Sequence, residues 1–276
     1  MGYMLPLWIR FPEIEMDSPA WRMGFGEEYI EKFHAWYRQL SSTERRRYDA
    51  EFPTPVLWSG YREGEKSCAK LRAKGFELPL WRNKGFPKYS VKHLLNQPDA
   101  QDICLFWGHH PQNDSTVGKS CLSQWWLSDF ESYGVRYCCA EQYMMAQKAR
   151  LFGDVQTLEK ILTCDDPAQI KKLGRQVKRF EAQLWDRAKY SIALNGNWKK
   201  FSQNPELRQF LLSTGESVLA EASPYDKIWG IGLSAEQPQS LCPEQWRGEN
   251  LLGFALMEVR DELKRVYAYE MEMDGS

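Results

Sequence analysis

The chain has 276 residues carrying 36 basic and 37 acidic side chains, a formal charge of −1. That length allows one large or two ordinary domains, and the near-neutral balance excludes a surface selected as a whole for nucleic acid. Seven cysteines without a CxxC pair, four histidines (His34, His93, His109, His110) without HxxxH or HxE spacing, and no long apolar run argue against a zinc site and a membrane span.

With no recognisable signal peptide, a reduced, cytoplasmic protein without a metal or other cofactor is expected. Aromatic residues are abundant, with Trp 12, Tyr 13 and Phe 13. Such rings pack cores, and Trp and Tyr also stack on bases and sugars.

Residues 1–100 form short Pro-, Trp- and Tyr-rich patches and carry no recognisable chemistry, so an accessory region is expected there. Ile30, Phe33, Tyr37 and Leu40 share one face of a helix predicted over 27–40. Ser41 and Glu44 fit a capping box opening a shorter helix with Arg45, Arg46 and Arg47. The loop at 96–102 is the expected boundary, with a second domain over 101–276.

In that second part CLFW (104–107) reads as a buried strand, GVRYCC as another, and AEQYMMAQKA (140–149) as a buried helix. Two helical turns separate Glu141 from Lys148, so a carboxylate and an amine share one face, about 10 Å apart along the axis, beside Met144 and Met145. Asp166 and Pro167 begin a helix predicted to run to about 190, with Leu173, Val177, Phe180, Leu184 and Ala188 as its buried stripe. Residues 171–200 hold nine basic against two acidic side chains, a local charge of +7 that favours a polyanionic ligand. Asn204 and Pro205 open the next helix, SVLAEAS (217–223) alternates as a strand, and NLLGFALMEVRDELKRV closes the fold as an amphipathic helix. The sum is an α+β fold, predominantly helical.

VGKS (117–120) lacks the glycine a P-loop needs five residues before Gly118, where Asn113 stands. WGIG (229–232) offers a close backbone approach through Gly230. Asp226 follows a strand beside Trp229, a placement that raises a carboxylate's pKa or merely makes a turn. Arg247, Gly248 and Asn250 open the last helix, where free N–H groups suit a phosphate or an Asn simply caps.

These segments recur in one order: FWG (106–108), SQWW (123–126), AExxxxxxKA (140–149), LGR (173–175), Trp185, KF (200–201), LLSTG (211–215), EASPxDxIWGIG (221–232) and WxGxNLLG (246–253). Over about residues 104–266 the chain resembles the NADAR family of YbiA-like proteins. The resemblance implies a mainly helical α+β domain and an N-glycosidase activity, hydrolysing the bond between a ribose carbon and a base or amine nitrogen. Two substrate groups go with it: ADP-ribose linked to guanine in DNA or RNA, and phosphoribosylamino-pyrimidine intermediates of riboflavin synthesis.

It also implies that Glu141, Lys148 and Asp226 are catalytic, with Trp229 and Asn250 at the substrate. Trp107, Ser123, Gln124, Trp125, Gly230 and Arg247 complete the expected binding set, although Gln124 stands where many members carry Asn. An amine at Lys148 whose pKa is lowered by apolar neighbours could attack the anomeric carbon and form a Schiff base, with Glu141 shuttling protons. Direct attack by water is the alternative, as is a non-catalytic ADP-ribose-binding module with Glu141 and Lys148 as a structural ion pair.

Overall fold

The computed structural model of the chain describes residues 4–11, 21, 25–52, 87–96, 102–108, 117–132 and 134–266. The capping-box sequence forms as expected: the Ser41 side chain accepts the Glu44 N–H and the Glu44 carboxylate accepts the Ser41 N–H. It opens α3 (Ser42–Glu51), which follows α2 (Phe25–Gln39); a short α1 (Leu7–Arg10) precedes both and α4 (Val91–Leu95) comes after. Phe33, Tyr37 and Tyr48 bind α2 to α3 through aromatic contacts, and the Tyr48 hydroxyl donates to the Met4 carbonyl at 2.6 Å.

These segments share one core with the rest of the chain. Leu5, Trp8, Phe33, Tyr48 and Phe52 are buried in the same cluster as Tyr143, Met144, Met145, Ala188 and Ile192. The Arg187 guanidinium also donates to the Arg10 carbonyl at 2.7 Å, and the Asn195 amide to that of Glu51. The expected boundary loop lies largely outside the described residues.

The strands are few and short. β1 (Ile103–Phe106) pairs in parallel with β4 (Val218–Glu221), Phe106 opposite Glu221. β2 (Phe130–Ser132) and β3 (Val135–Tyr137) form an antiparallel hairpin. Val218, Leu219 and Ala220 are all buried, so β4 is covered on both faces and does not alternate as its sequence suggests.

Helices supply the mass: α5 (Ala140–Leu151), α6 (Val155–Leu162), α7 (Pro167–Arg175), α8 (Ala182–Gln203), α9 (Pro205–Ser213) and α10 (Leu251–Val266). The fold is α+β and predominantly helical.

α5 is buried on nearly every side, and two glycines make room for it. A Cβ on Gly174 of α7 would lie 1.9 Å from the Met145 sulfur, and one on Gly196 of α8 would lie 2.8 Å from the Tyr143 ring. Gln142 locks the helix in register, accepting the Cys138 N–H and donating to the Ile161 and Cys164 carbonyls.

The single long helix expected from 167 to about 190 is two helices. Asp166 caps and Pro167 starts α7 as foreseen, but it ends at Arg175. The Asp154 carboxylate takes the Lys178 N–H at 2.9 Å, a donor that a continuing helix would need, and Arg179 turns at φ 56°. Phe180, placed on the buried stripe by period, is exposed instead.

Candidate active site

β1 and β4 end together, and the loop after β4 is folded hard against them. The Ile231 N–H returns to the Glu221 carbonyl at 2.9 Å. Gly230 sits so close that a Cβ there would meet the Glu221 carbonyl at 2.8 Å and the Asp226 carbonyl at 3.0 Å. Within this loop Asp226 Oδ1 accepts the Ile228 and Trp229 N–H groups at 2.9 and 2.8 Å, which fixes the carboxylate.

Asn250 holds the other flank. At φ 55°, a conformation Asn tolerates better than most residues, its amide donates to the Leu219 carbonyl at 2.9 Å and accepts the Glu221 N–H at 3.1 Å. The side chain is fully buried.

This corrects the expectation for the start of α10. The N–H groups of Glu249, Asn250, Leu251 and Leu252 are not free for a phosphate: they donate to the carbonyls of Lys227, Gly230, Ile228 and Trp229. Asn250 braces the strand that carries Glu221. Arg247 is exposed at the surface, its N–H bound to the Ile231 carbonyl.

α5 brings Glu141 to the same place. The Gln124 carbonyl accepts the Glu141 N–H at 2.9 Å, so the SQWW loop caps the helix start. The Trp125 indole donates to the Glu141 carboxylate, while Glu141 Oε1 is sealed from solvent without a partner. Burial pushes the Glu141 carboxyl above its ordinary range and Asp226 adds to the push; Lys171, Trp125 and Arg175 oppose it. Ser123 orients the loop by accepting the Trp125 N–H at 3.2 Å, and the Gln124 Nε2 is buried without a partner.

Lys148 lies on the Glu141 face of α5, as the spacing implies. Its ammonium is 4.4 Å from the Phe180 ring centroid and 5.3 Å from that of Trp185. Desolvation, with Arg175 assisting, lowers its pKa against the pull of Glu141. The desolvating rings come from the turn before α8 and its first coils. Met144 and Met145, expected together with tryptophan neighbours to desolvate the amine, are buried in the core, and Trp185 supplies the tryptophan.

Glu221 escaped the sequence reading, and Lys171 and Arg175 entered it only as part of the basic segment 171–200. Glu221 ends β4 with its Oε2 sealed and unpartnered, and burial pushes its pKa up to about 8, with Asp226 and Glu141 contributing. Lys171 of α7 acts on both Glu141 and Glu221 and lies 5.6 Å from the Trp125 ring, while Arg175 acts on Glu141.

The +7 segment is therefore not one polyanion-binding face. Lys178 and Arg179 tie to Gln156 and the Gly153 carbonyl, Arg187 to Arg10, and Lys200 is fully buried. The Lys200 ammonium donates to the Cys121 and Ser123 carbonyls at 2.6 and 2.8 Å, holding the loop that carries Trp125.

Trp107, next after β1, is exposed at the strand end shared with Glu221, and Tyr225 is 89 % exposed beside Asp226. Trp229 packs between the two main clusters. Among the described residues no three His, Cys, Asp or Glu side chains converge as a metal site, and no helix is long and apolar enough to cross a membrane.

The arrangement joins a fixed carboxylate and two carboxyls with sealed oxygens at the carboxyl end of a parallel strand pair, with a desolvated amine farther along α5 from Glu141. Comparison with known proteins gives it a context. An N-glycosidase of Acanthamoeba polyphaga mimivirus is 46 % identical over 158 residues, covering 55 % of this chain and 93 % of that protein. A riboflavin biosynthesis protein of Vibrio vulnificus is 33 % identical over 138 residues, 50 % of this chain and 34 % of its own. The NMR structure of the Escherichia coli protein YbiA is 24 % identical with a TM-score of 0.49, covering 63 % of this chain and 90 % of that one. The NADAR domain profile matches residues 105–264, more than half of the sequence, and the chain belongs to the NADAR family.

Proposed function

We propose that the chain is an N-glycosidase hydrolysing the bond between ribose C1′ and a base or amine nitrogen, with ADP-ribose on guanine in nucleic acid as its substrate. The observation that carries the reading is the Glu141–Lys148 pair, a sealed carboxyl and an amine of lowered pKa on one helix face. Cleavage passes through an oxocarbenium-like state at C1′, which a nearby carboxylate stabilises and whose capture needs a nucleophile. Neutral Lys148 attacks C1′ and passes a proton to Glu141; ring opening gives a Schiff base that water resolves. In direct hydrolysis Glu141 takes the proton of the attacking water instead.

Support for the substrate comes from the surroundings. Lys171 and Arg175 supply positive charge at the carboxylates, suited to a pyrophosphate. The exposed Trp107 and Tyr225 offer faces on which flanking bases stack. A phosphoribosylamino-pyrimidine is the second reading, favoured by the named relative in Vibrio vulnificus.

The test is turnover of a guanine-ADP-ribosylated oligonucleotide and of the pyrimidine intermediate by the wild type, Lys148→Met and Glu141→Gln. Release from one substrate, abolished by both replacements in folded protein, supports the reading. Tight ADP-ribose binding without release from either refutes it in favour of a binding module.

A further inference from the structure

The functional reading leaves the departing nitrogen without a proton source. Glu141, which acts electrostatically on Lys148, is given the role of proton acceptor in that reading, and Asp226 Oδ1 is occupied by two backbone N–H groups. We propose that Glu221 is a further catalytic residue, the general acid that protonates the leaving nitrogen; this rests on the N-glycosidase reading.

Three features of the geometry support it. First, the backbone at Glu221 is immobilised at both ends, its N–H by Asn250 Oδ1 and its carbonyl by the Ile231 N–H. A side chain leaving so rigid a strand end has a defined reach. Second, Oε2 is sealed from water with no hydrogen-bond partner. A buried carboxyl oxygen left unpaired in an otherwise well-bonded loop is costly unless a ligand completes it.

Third, the charged groups acting on it come from three separate elements: Asp226 from the following loop, Glu141 from α5 and Lys171 from α7. Two carboxylates beside it favour its neutral form, and one ammonium does not offset them together with burial. The protonated form therefore persists to about pH 8.

The step balances. As the C1′–N bond breaks, its electron pair goes to nitrogen and the Glu221 proton follows, releasing a neutral base and leaving Glu221 as a carboxylate. Water, directly or after Lys148, supplies the hydroxyl at C1′ and gives its proton to Glu141. Return of that proton to Glu221 through solvent at product release restores the site.

The experiment is the pH profile of kcat/KM for the wild type, Glu221→Gln and Glu221→Asp on the two substrates named above, with KM and kcat separated. General-acid assistance is worth about 10²- to 10⁴-fold. Glu221→Gln is expected to lose about that factor in kcat with little change in KM, and to lose the alkaline limb that the wild type shows as pH rises through about 8. A Glu221→Gln enzyme within about threefold of wild type, or with the alkaline limb intact, overturns the assignment while the N-glycosidase reading stands.

A wild type that releases nothing from either substrate overturns both. If Glu221→Gln does not fold, Glu221→Asp decides. A lowered kcat with the alkaline limb kept supports the acid role, and wild-type kcat from a carboxyl withdrawn by one methylene overturns it.

Discussion

Replacing Gly253 by alanine isolates the contact on which the Glu221 strand end depends. An added Cβ would lie 2.0 Å from the Leu219 carbonyl oxygen and 2.6 Å from both amide atoms of Asn250. Ordinary contact begins near 3.4 Å, so α10 and β4 must separate by more than 1 Å. No flexible side-chain tip can yield, because Leu219 is strand backbone and the Asn250 amide is bonded to it.

Overpacking costs about 1–3 kcal/mol, and a backbone obstacle belongs at the upper end. Against this, alanine improves on glycine in a helix by about 1 kcal/mol. Packing wins, with a net loss of about 2 kcal/mol, or about 4–8 °C in Tm for a domain of this size.

Separation of α10 from β4 also pulls Asn250 from Glu221, so kcat/KM falls at temperatures far below unfolding. Thermal melts by circular dichroism and turnover at 20 °C measure both. A Tm raised by the amount helix propensity alone predicts would refute the packing argument.

Gly174→Ala meets the flexible Met145 side chain, not backbone, and is expected to cost less; a double-mutant cycle with Met145→Ala should recover about 1 kcal/mol of coupling in urea melts. Lys200→Met tests a buried ammonium whose pKa burial lowers to about 8. Between there and the ordinary lysine value of 10.5 the folded chain binds fewer protons at this site than the unfolded chain. Stability from Lys200 is thus gained as pH climbs across that window and lost as pH falls through about 8. Denaturant melts should show wild type gaining roughly 3 kcal/mol on Lys200→Met from pH 7 to 10.5; parallel curves would contradict this. Trp125→Phe removes the indole donor to Glu141 and should move the acidic limb of kcat/KM to higher pH, because that bond favours the charged carboxylate.

What could be read from the sequence follows the range of the forces involved. The α3 capping box and the Asp166–Pro167 start of α7 are local chemistry within four residues, and both formed as read. The end of α7 was not legible, because the group that ends it is Asp154, a residue 24 positions from the Lys178 N–H it captures. The same holds for the basic segment. Its charge could be counted, but the distribution of that charge among the Gly153 turn, the Arg10 carbonyl, the buried loop and the site is set by tertiary packing.

The site divides along the same line. Helical period alone put Glu141 and Lys148 on one face, and their electrostatic coupling follows from it. A tryptophan over Lys148 was expected and Trp185 provides it, but which tryptophan, and the Phe180 ring beside it, depend on the chain reversal after α7. Glu221 left a signal of a different sort: a lone carboxylate between Val218-Leu219-Ala220 and Ala222, all buried.

A charge at that point in an apolar run requires a partner, neutralisation or a use, since burying it unpaired is costly. Its neighbours Asp226 and Glu141 deny it the first, and its raised pKa provides the second. Neutralisation still leaves Oε2 unbonded, a cost that a purely structural carboxyl could have avoided as a glutamine or an apolar residue. A proton held at the carboxyl end of the strand, available to the leaving nitrogen in the proposed reaction, gives that cost a chemical return.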